Sequence, residues 1–412
     1  MIAFKYHFKI ALVAIIPFPF WPSCPFQCLQ PSLLNSWRLS KLGSHDPDSV
    51  NAVSKCITPT VQRCATRAVA QRCVSPSRRR EELQGFQGEG SGKLLFSAEQ
   101  MMAAARMADL VSEMRFLVPW GHIAAKAWGS PQGRPVLCLH GWLDNANTFN
   151  KLIPLLPKDC YYVAIDFAGH GLSSHRPAGY PYHVEDYMGD VRRAAAALKW
   201  SRFSLLGHSM GGTIACMFSY VFPEMVDKLI LVESTGFYPR AQKWENYLIE
   251  SRTAVENMLN MEAKQHQSPK VRSSEEALQR LLEANDHLTE ESGKILLERG
   301  ATKVPGGLVY SRDVRATSHV NSPAPLQYQA NYVKKIQADV LMIVTQDGLF
   351  GIGAIYYDSL AIISEAFRAS CKQHFQFVNI PGNHFIHLNE PEFVAGIIST
   401  FLNKNKSLKA NL

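Results

Sequence analysis

The stretch that most constrains this chain is Phe203–Cys216, FSLLGHSMGGTIAC. Phe203 to Leu206 is a short apolar run that reads as a buried strand. Gly207-His208-Ser209-Met210-Gly211 follows with the spacing G-x-S-x-G, and Gly212 to Cys216 are small or apolar, suited to a helix packed closely on a sheet. A strand, a sharp turn centred on Ser209 and a helix make a nucleophile elbow. In such a turn the serine backbone is strained, and strand and helix crowd two positions before and two after it. Gly207 and Gly211 occupy both positions. The helix aims its N-terminus at Ser209, where it favours developing negative charge. Glycine and serine are common enough for the pattern to recur by chance, so a reactive Ser209 requires three further features: an oxyanion donor upstream, an acid downstream and a histidine last.

The upstream chain supplies the first. Met114 to Val118 and His122 to Trp128 read as two antiparallel strands, and Pro135 to Leu139 as a buried strand ending in His140-Gly141-Trp142-Leu143-Asp144. The backbone N–H after such a His-Gly pair is suited to hold an oxyanion. Here it belongs to Trp142, with Met210 supplying the second donor. A backbone donor is indifferent to its side chain, so the Trp142 indole is expected to pack on substrate. His140 is read as a structural histidine holding the loop. Asn147 to Leu156 is expected to form a helix ended by Pro157. Tyr161 to Ile165 is the next strand, followed by Asp166-Phe167-Ala168-Gly169-His170-Gly171-Leu172-Ser173, a tight loop in which Asp166 reads as a structural hydrogen-bonding group. Tyr187 to Trp200 is an amphipathic helix leading into the elbow.

Downstream, Val226 to Val232 is a buried strand ending in Glu233-Ser234-Thr235-Gly236. The texture then turns helical, over Trp244 to Gln265, Glu275 to Ala284 and Glu290 to Arg299, with no strands expected between them. Residues 239–338 therefore read as a helical lid inserted between two core strands, and 107–238 with 339–412 as the core. Val340 to Val344 resumes the sheet, followed by Gln346-Asp347-Gly348. Phe375 to Ile380 is the last strand and runs into Pro381-Gly382-Asn383-His384-Phe385-Ile386-His387, then Asn389-Glu390-Pro391 and a closing helix from Phe393 to Leu402. Alternating helices and continuously apolar strands predict an α/β fold, a mostly parallel sheet with helices on both faces. Functional groups are then expected at the carboxyl ends of the strands.

Charge and cysteine usage divide the chain. Of 412 residues, the first 106 hold 13 Lys and Arg against 6 Asp and Glu, leaving 30 against 29 for the remainder. The near-neutral remainder gives no reason to expect nucleic acid or an anionic membrane as partner. The 13-residue apolar run Ile10–Pro22 falls short of the roughly 20 residues needed to span a bilayer, and Pro17, Pro19 and Pro22 would break a helix, so the chain is not expected to be transmembrane. Residues 23–100 are rich in Ser, Pro, Gln and Arg. Residues 1–106 read as a disordered extension or upstream sequence ahead of starts at Met101, Met102 or Met107, with an Arg-rich transit peptide as the alternative. No pair of cysteines has the spacing of a zinc site with matching histidines, and neither metal nor cofactor is expected. Cys138 and Cys216 stand in apolar runs and read as core thiols.

HGW, DFAGHGLS, GHSMGG and PGNHFIHLNEP occur in an order and spacing that resembles the α/β-hydrolase superfamily. VPWGHIAAKAWG, VLCLHGWLDNA, PEMVDKLIL and FQFVNIPGNH resemble, more narrowly, its serine hydrolase-like (kraken-like) family. The resemblance covers residues 107–412. It implies an α/β-hydrolase fold, Ser209 as nucleophile, His384 as general base, and an oxyanion hole of the Trp142 and Met210 N–H groups. His387 is the second candidate base. The acid departs from the family's pattern. The usual carboxylate stands three residues past a glycine at the strand end, but here the strand ends Val344-Thr345-Gln346-Asp347-Gly348, with Thr345 for the glycine and Asp347 one residue early. The alternative is Glu233, at the position some dehalogenases of the superfamily use. Asp347 is the first expectation and Glu233 the second.

The function expected from these residues is hydrolysis of an ester, thioester or amide with an apolar acyl part, through an acyl-enzyme on Ser209. The alternative is a catalytically inactive α/β-hydrolase-fold protein that binds a ligand under its lid. Carbon–halogen or epoxide chemistry needs a carboxylate nucleophile, which Ser209 excludes. The final residues Lys409-Ala410-Asn411-Leu412 are a divergent form of a peroxisomal address. A peroxisomal import receptor is thus an expected partner, with peroxisome or cytoplasm as location and perinuclear vesicles implied by the resemblance.

Overall fold

The computed structural model of the chain describes residues 111–237, 244–263, 268–317, 326–351, 356–371 and 375–404. The extension over residues 1–106 and the terminal Lys409–Leu412 lie outside these residues.

β1 (Val111–Val118) and β2 (Gly121–Trp128) pair antiparallel, with Val118 opposite Gly121. β3 (Arg134–Leu139) and β4 (Cys160–Ile165) are parallel, and β4 also takes β2 on its other edge, antiparallel. The chain then crosses to the far side of β3. There β5 (Phe203–His208), β6 (Val226–Val232), β9 (Asp339–Asp347) and β10 (Phe375–Asn383) continue the sheet in parallel. Among the described residues the spatial order is β1-β2-β4-β3-β5-β6-β9-β10. The order reverses at β3, with β4 on one side and β5 on the other. A crevice opens at such a reversal outside the strands' carboxyl ends, here between the ends of β3 and β5.

Successive strand side chains point to opposite faces, and both faces are covered. On one face Leu137, Leu139, Val163, Ile165, Leu205, Leu231 and Met342 pack with α1 (Val184–Ala197), α2 (Met210–Val221) and, further along the chain, Tyr357–Cys371. On the other face Val136, Cys138, Tyr162, Leu206, Ile230 and Ile343 pack with Phe149, Leu152 and the closing helix Glu392–Asn403. Cys138 and Cys216 are buried in these clusters.

Two local expectations are corrected. The helix expected over Asn147–Leu156 is two short 3-10 turns, Ala146–Phe149 and Ile153–Leu155. Pro154 has no N–H to donate back along a helix and its ring crowds the preceding turn, so a continuous helix cannot run through it and a new short turn starts at Ile153. The helix expected from Tyr187 starts a turn earlier, where the Asp186 carboxylate accepts from the His183 N–H. It ends before Trp200 because Lys199 takes a positive φ of 57°.

The insertion contains α3 (Trp244–Ala263), α4 (Ser274–Glu283), α5 (Glu290–Gly300) and α6 (Leu326–Val333). It is not wholly helical. β7 (Ala301–Val304) and β8 (Gly307–Tyr310) form an antiparallel hairpin, turned at Pro305-Gly306. α7 is the helix Tyr357–Cys371, α8 Ile386–Asn389 and α9 Glu392–Asn403. Among the described residues no helix is long and apolar enough to cross a membrane.

Candidate active site

Ser209 lies between β5 and α2 with φ 51° and ψ −119°. A non-glycine residue held there costs on the order of 1–3 kcal/mol and persists only where surrounding contacts enforce it. They do so here. The Ser209 N–H donates to the Val232 carbonyl at 3.0 Å, and the Ser209 carbonyl accepts from Gly212 and Thr213. Crowding at the turn explains the two glycines. A Cβ on Gly207 would stand 2.5 Å from the backbone of Gly211, and one on Gly211 would stand 2.1 Å from the Leu139 carbonyl oxygen. α2 begins at Met210, so its first amides have no acceptor within the helix.

The loop after β3 faces this turn. Trp142 follows Gly141 there, 44% exposed, and its indole N–H donates to the Ala316 carbonyl of the insertion at 2.8 Å. The same loop is tied to α5 by Asn145 donating to the Leu296 carbonyl at 2.9 Å and Asn147 to the Ile295 carbonyl at 3.0 Å. His140 is fully buried. Its Nε2 accepts from the Phe167 N–H at 3.1 Å, so its Nδ1 carries the proton and donates to the Gly141 carbonyl at 2.7 Å. Burial holds His140 neutral, its pKa pushed well down. It is a loop-holding group, as its sequence context suggests.

His384 follows β10. Its Nδ1 lies 3.1 Å from Glu233 Oε2. The structure thus brings Glu233, not Asp347, to His384. The expectation for Asp347 is corrected at the carboxyl end of β9, where burial stops after Thr345. Thr345 is the inward, buried residue, whereas Gln346 and Asp347 are exposed, and no hydrogen bond or ion pair joins Asp347 to His384. Glu233 is fully buried with φ 50°. Its Oε1 accepts from the Thr345 N–H at 2.6 Å and the Thr345 hydroxyl at 2.9 Å, and its Oε2 accepts from the Leu349 N–H at 3.1 Å as well as from His384. A Cβ on Gly348 would come within 2.2 Å of Glu233 Oε2. The Thr345–Leu349 turn is therefore shaped around a carboxylate contributed by the neighbouring strand. Nothing in the local sequence of that turn discloses this, because its partner is 112 residues away.

Two further histidines pack behind His384. The His208 ring is 4.7 Å from His384 and 3.9 Å from His387, and its Nε2–H donates to the His384 carbonyl at 2.9 Å. His387, the second candidate base, is fully buried with Nε2 on the Thr148 hydroxyl at 2.8 Å, and burial lowers its pKa to about 3. It is a packed neutral ring held on Thr148. Ser209 Oγ itself makes no hydrogen bond to His384 in this structure. The base loop is fastened to the insertion by Asn383 and Asn389, whose side-chain amides donate to the His287 carbonyl at 3.1 and 2.8 Å. Sequence reasoning did not find Thr345, His208 or these asparagines; only the Asn383–His384 adjacency and the G-H-S triplet hinted at them. Asp166 fits its structural reading, accepting from the N–H groups of Ala146 and Leu172 and from Arg299.

Asp144 adds a titration in the loop after β3. Burial raises its carboxyl to about 7, against the pull of Arg312. Its folded pKa thus lies above that of an unfolded chain, and the fold holds the proton more tightly. The associated stability is present at low pH and is lost as pH rises toward 7. Asp144→Asn should therefore gain on the wild type by about 1.4 kcal/mol per pH unit across that window. Paired urea titrations between pH 4 and 7 check this, and parallel curves contradict it.

The family described as alpha/beta hydrolase fold matches residues 134–391. The chain belongs to this family. Within it the chain is similar to human serine hydrolase-like protein 2, 51% identical over 307 residues that cover 74% of this chain and 98% of the relative. The mouse serine hydrolase-like protein is 47% identical over 298 residues, covering 71% and 96%. Among solved structures, a hypothetical protein from Pseudomonas aeruginosa PAO1 superposes with a TM-score of 0.59 at 31% identity, covering 70% of this chain and 99% of its own. This α/β hydrolase accordingly has the mostly parallel sheet, covered by helices on both faces, that is expected from its sequence. Among its described residues no group of His, Cys, Asp and Glu is placed to hold a metal ion.

Proposed function

We propose that this chain is a serine hydrolase that cleaves an ester, thioester or amide through an acyl-enzyme on Ser209. The observation that carries the reading is the 3.1 Å contact between His384 and the buried, fully hydrogen-bonded Glu233, with the strained Ser209 following His208, whose ring packs 4.7 Å from that of His384. Glu233 Oε2 accepts a hydrogen bond from the His384 Nδ1–H, which keeps that proton on Nδ1 and leaves Nε2 unprotonated and able to take the serine proton. Ser209 Oγ attacks the acyl carbon, and the carbonyl electron pair moves to oxygen, where the Met210 and Trp142 N–H groups receive it. His384 then returns the proton to the leaving group as the tetrahedral species collapses. Water repeats the sequence to free the acid and restore Ser209.

The inactive binding-protein reading draws support from the absent Ser209–His384 hydrogen bond. That contact commonly closes only in the substrate complex, so geometry favours the enzyme. A fluorophosphonate probe separates the two. Wild type should be labelled, and Ser209→Ala should not. No labelling of wild type, or equal labelling of Ser209→Ala, discards the enzyme. Peroxisomal import through Lys409–Leu412 belongs to the same proposal, supported by the terminal residues. Imaging a tagged chain with and without Leu412 tests it, and absence of peroxisomal signal in both rejects it.

A further inference from the structure

The acid reaches His384 from β6, one strand away from the β9 position where this chain's sequence pattern leads one to expect it. Something must then hold a long glutamate at an unusual origin. Glu233 has a flexible side chain and a strained backbone, with φ 50°. Three donors meet its carboxylate besides His384: the Thr345 N–H and the Leu349 N–H, which any residue would supply, and the Thr345 hydroxyl. The hydroxyl is the only side-chain donor among them. It reaches Oε1 at 2.9 Å, on the oxygen that His384 does not use, and Thr345 is fully buried.

We propose that Thr345 is the positioning residue for the relocated acid: its hydroxyl and amide grip Glu233 Oε1 and so turn Oε2 onto His384 Nδ1. This rests on the serine hydrolase reading for its consequence in catalysis, though the grip itself does not. The two donors on Oε1 define the plane of the carboxylate. With one gone, the carboxylate can rotate about its terminal torsion, which is broad in the absence of partners. Negative charge would also shift from Oε1 toward Oε2. The titratable groups packed against this pair are His384 and, behind it, the neutral His208 and His387 rings.

Thr345→Val keeps the shape, the β-branch and the backbone N–H, and removes only the hydroxyl. Thr345→Ser keeps the hydroxyl. Two readouts apply. The first is the rate of fluorophosphonate labelling and ester turnover across pH. Thr345→Val should lower kcat about 10-fold to 100-fold, the range for losing a hydrogen bond to a charged group. KM should stay unchanged, and Thr345→Ser should restore kcat. The second is the far-downfield proton resonance of the His384 Nδ1–H, assigned by its disappearance in Glu233→Ala. It should move or vanish in Thr345→Val and return in Thr345→Ser.

A Thr345→Val protein with wild-type resonance and wild-type rates overturns the proposal and leaves the serine hydrolase intact. A serine variant as impaired as valine also overturns it, because the loss then belongs to the methyl packing. If the wild type proves unreactive, the hydrolase reading fails and the resonance alone decides Thr345. Thermal unfolding of both variants shows that the comparison is made between folded proteins.

Discussion

Under the proposed mechanism Glu233→Gln should lower turnover by about 10⁴-fold, while Asp347→Asn should stay within about two-fold of wild type, the first figure being that for the equivalent acid-to-amide change in a Ser-His-Asp site. The reason is orientational. The glutamine oxygen would be drawn to the Thr345 donors on the Oε1 side. Its NH₂ would then face His384 Nδ1, where the native Oε2 stands at 3.1 Å. Two donors cannot share that line, so the imidazole proton moves to Nε2. The base then offers a proton to Ser209 where it should receive one. Asp347 is exposed at the end of β9 and makes no hydrogen bond or ion pair with His384 or Glu233, so its amide has no such bond to disturb. Steady-state kinetics on a short acyl ester, with labelling rates as a cross-check, distinguish the two variants. Equal losses in both, or a loss confined to Asp347→Asn, would remove Glu233 from the proposed mechanism.

Arg299→Ala destabilises the fold by about 3–5 kcal/mol, the usual result of stripping one partner from a buried ion pair. Arg299 closes α5, and its Nε lies 2.8 Å from Asp166 Oδ2, both side chains being almost wholly buried. Its Nη1 also takes both oxygens of Glu113, at 2.7 and 2.8 Å. Burial pushes the Asp166 carboxyl up, and Arg299 opposes that push. Without the guanidinium, Asp166 either stays charged in the interior or takes a proton and weakens its bonds to the Ala146 and Leu172 N–H groups. Glu113 is half exposed, so Glu113→Gln should cost less than about 1 kcal/mol. Urea denaturation of the two variants gives the comparison. The Arg299→Ala midpoint should fall on the order of 10 °C in a thermal scan, given a few degrees per kcal/mol for domains of this size. Similar small losses in both would mean that Arg299 is not the main anchor of the insertion.

What could be read from the sequence was what neighbouring residues decide among themselves. The G-x-S-x-G turn, the His-Gly after β3 and the Gly-Asn-His after β10 each signal themselves through small residues that tight backbone geometry requires, and the strands through unbroken apolar runs. The choice between Glu233 and Asp347 is of another kind. It depends on which of two strand-end carboxylates faces inward once β6 and β9 pair, and on whether a glycine four residues beyond Val344 leaves room. Both carboxylates follow apolar strands, so local pattern weighs them alike. The hairpin Ala301–Tyr310 was missed because its strands have four residues each and no buried side chain, although Pro305-Gly306-Gly307 marks a turn. The helix expected over Asn147–Leu156 failed where Pro154 outweighed its apolar periodicity.

The insertion's α5 segment is bonded on one side to the loop that carries Trp142, through Asn145 and Asn147, and the residues just before it are bonded to the loop that carries His384, through Asn383 and Asn389. Anyone building chimaeras between this hydrolase and its relatives therefore cannot treat the inserted region as an exchangeable cap. A cut placed at its sequence ends would transplant foreign acceptors against native asparagines. A workable graft would carry residues 287–299 together with both loops as one cassette, leaving α3 as the piece open to replacement.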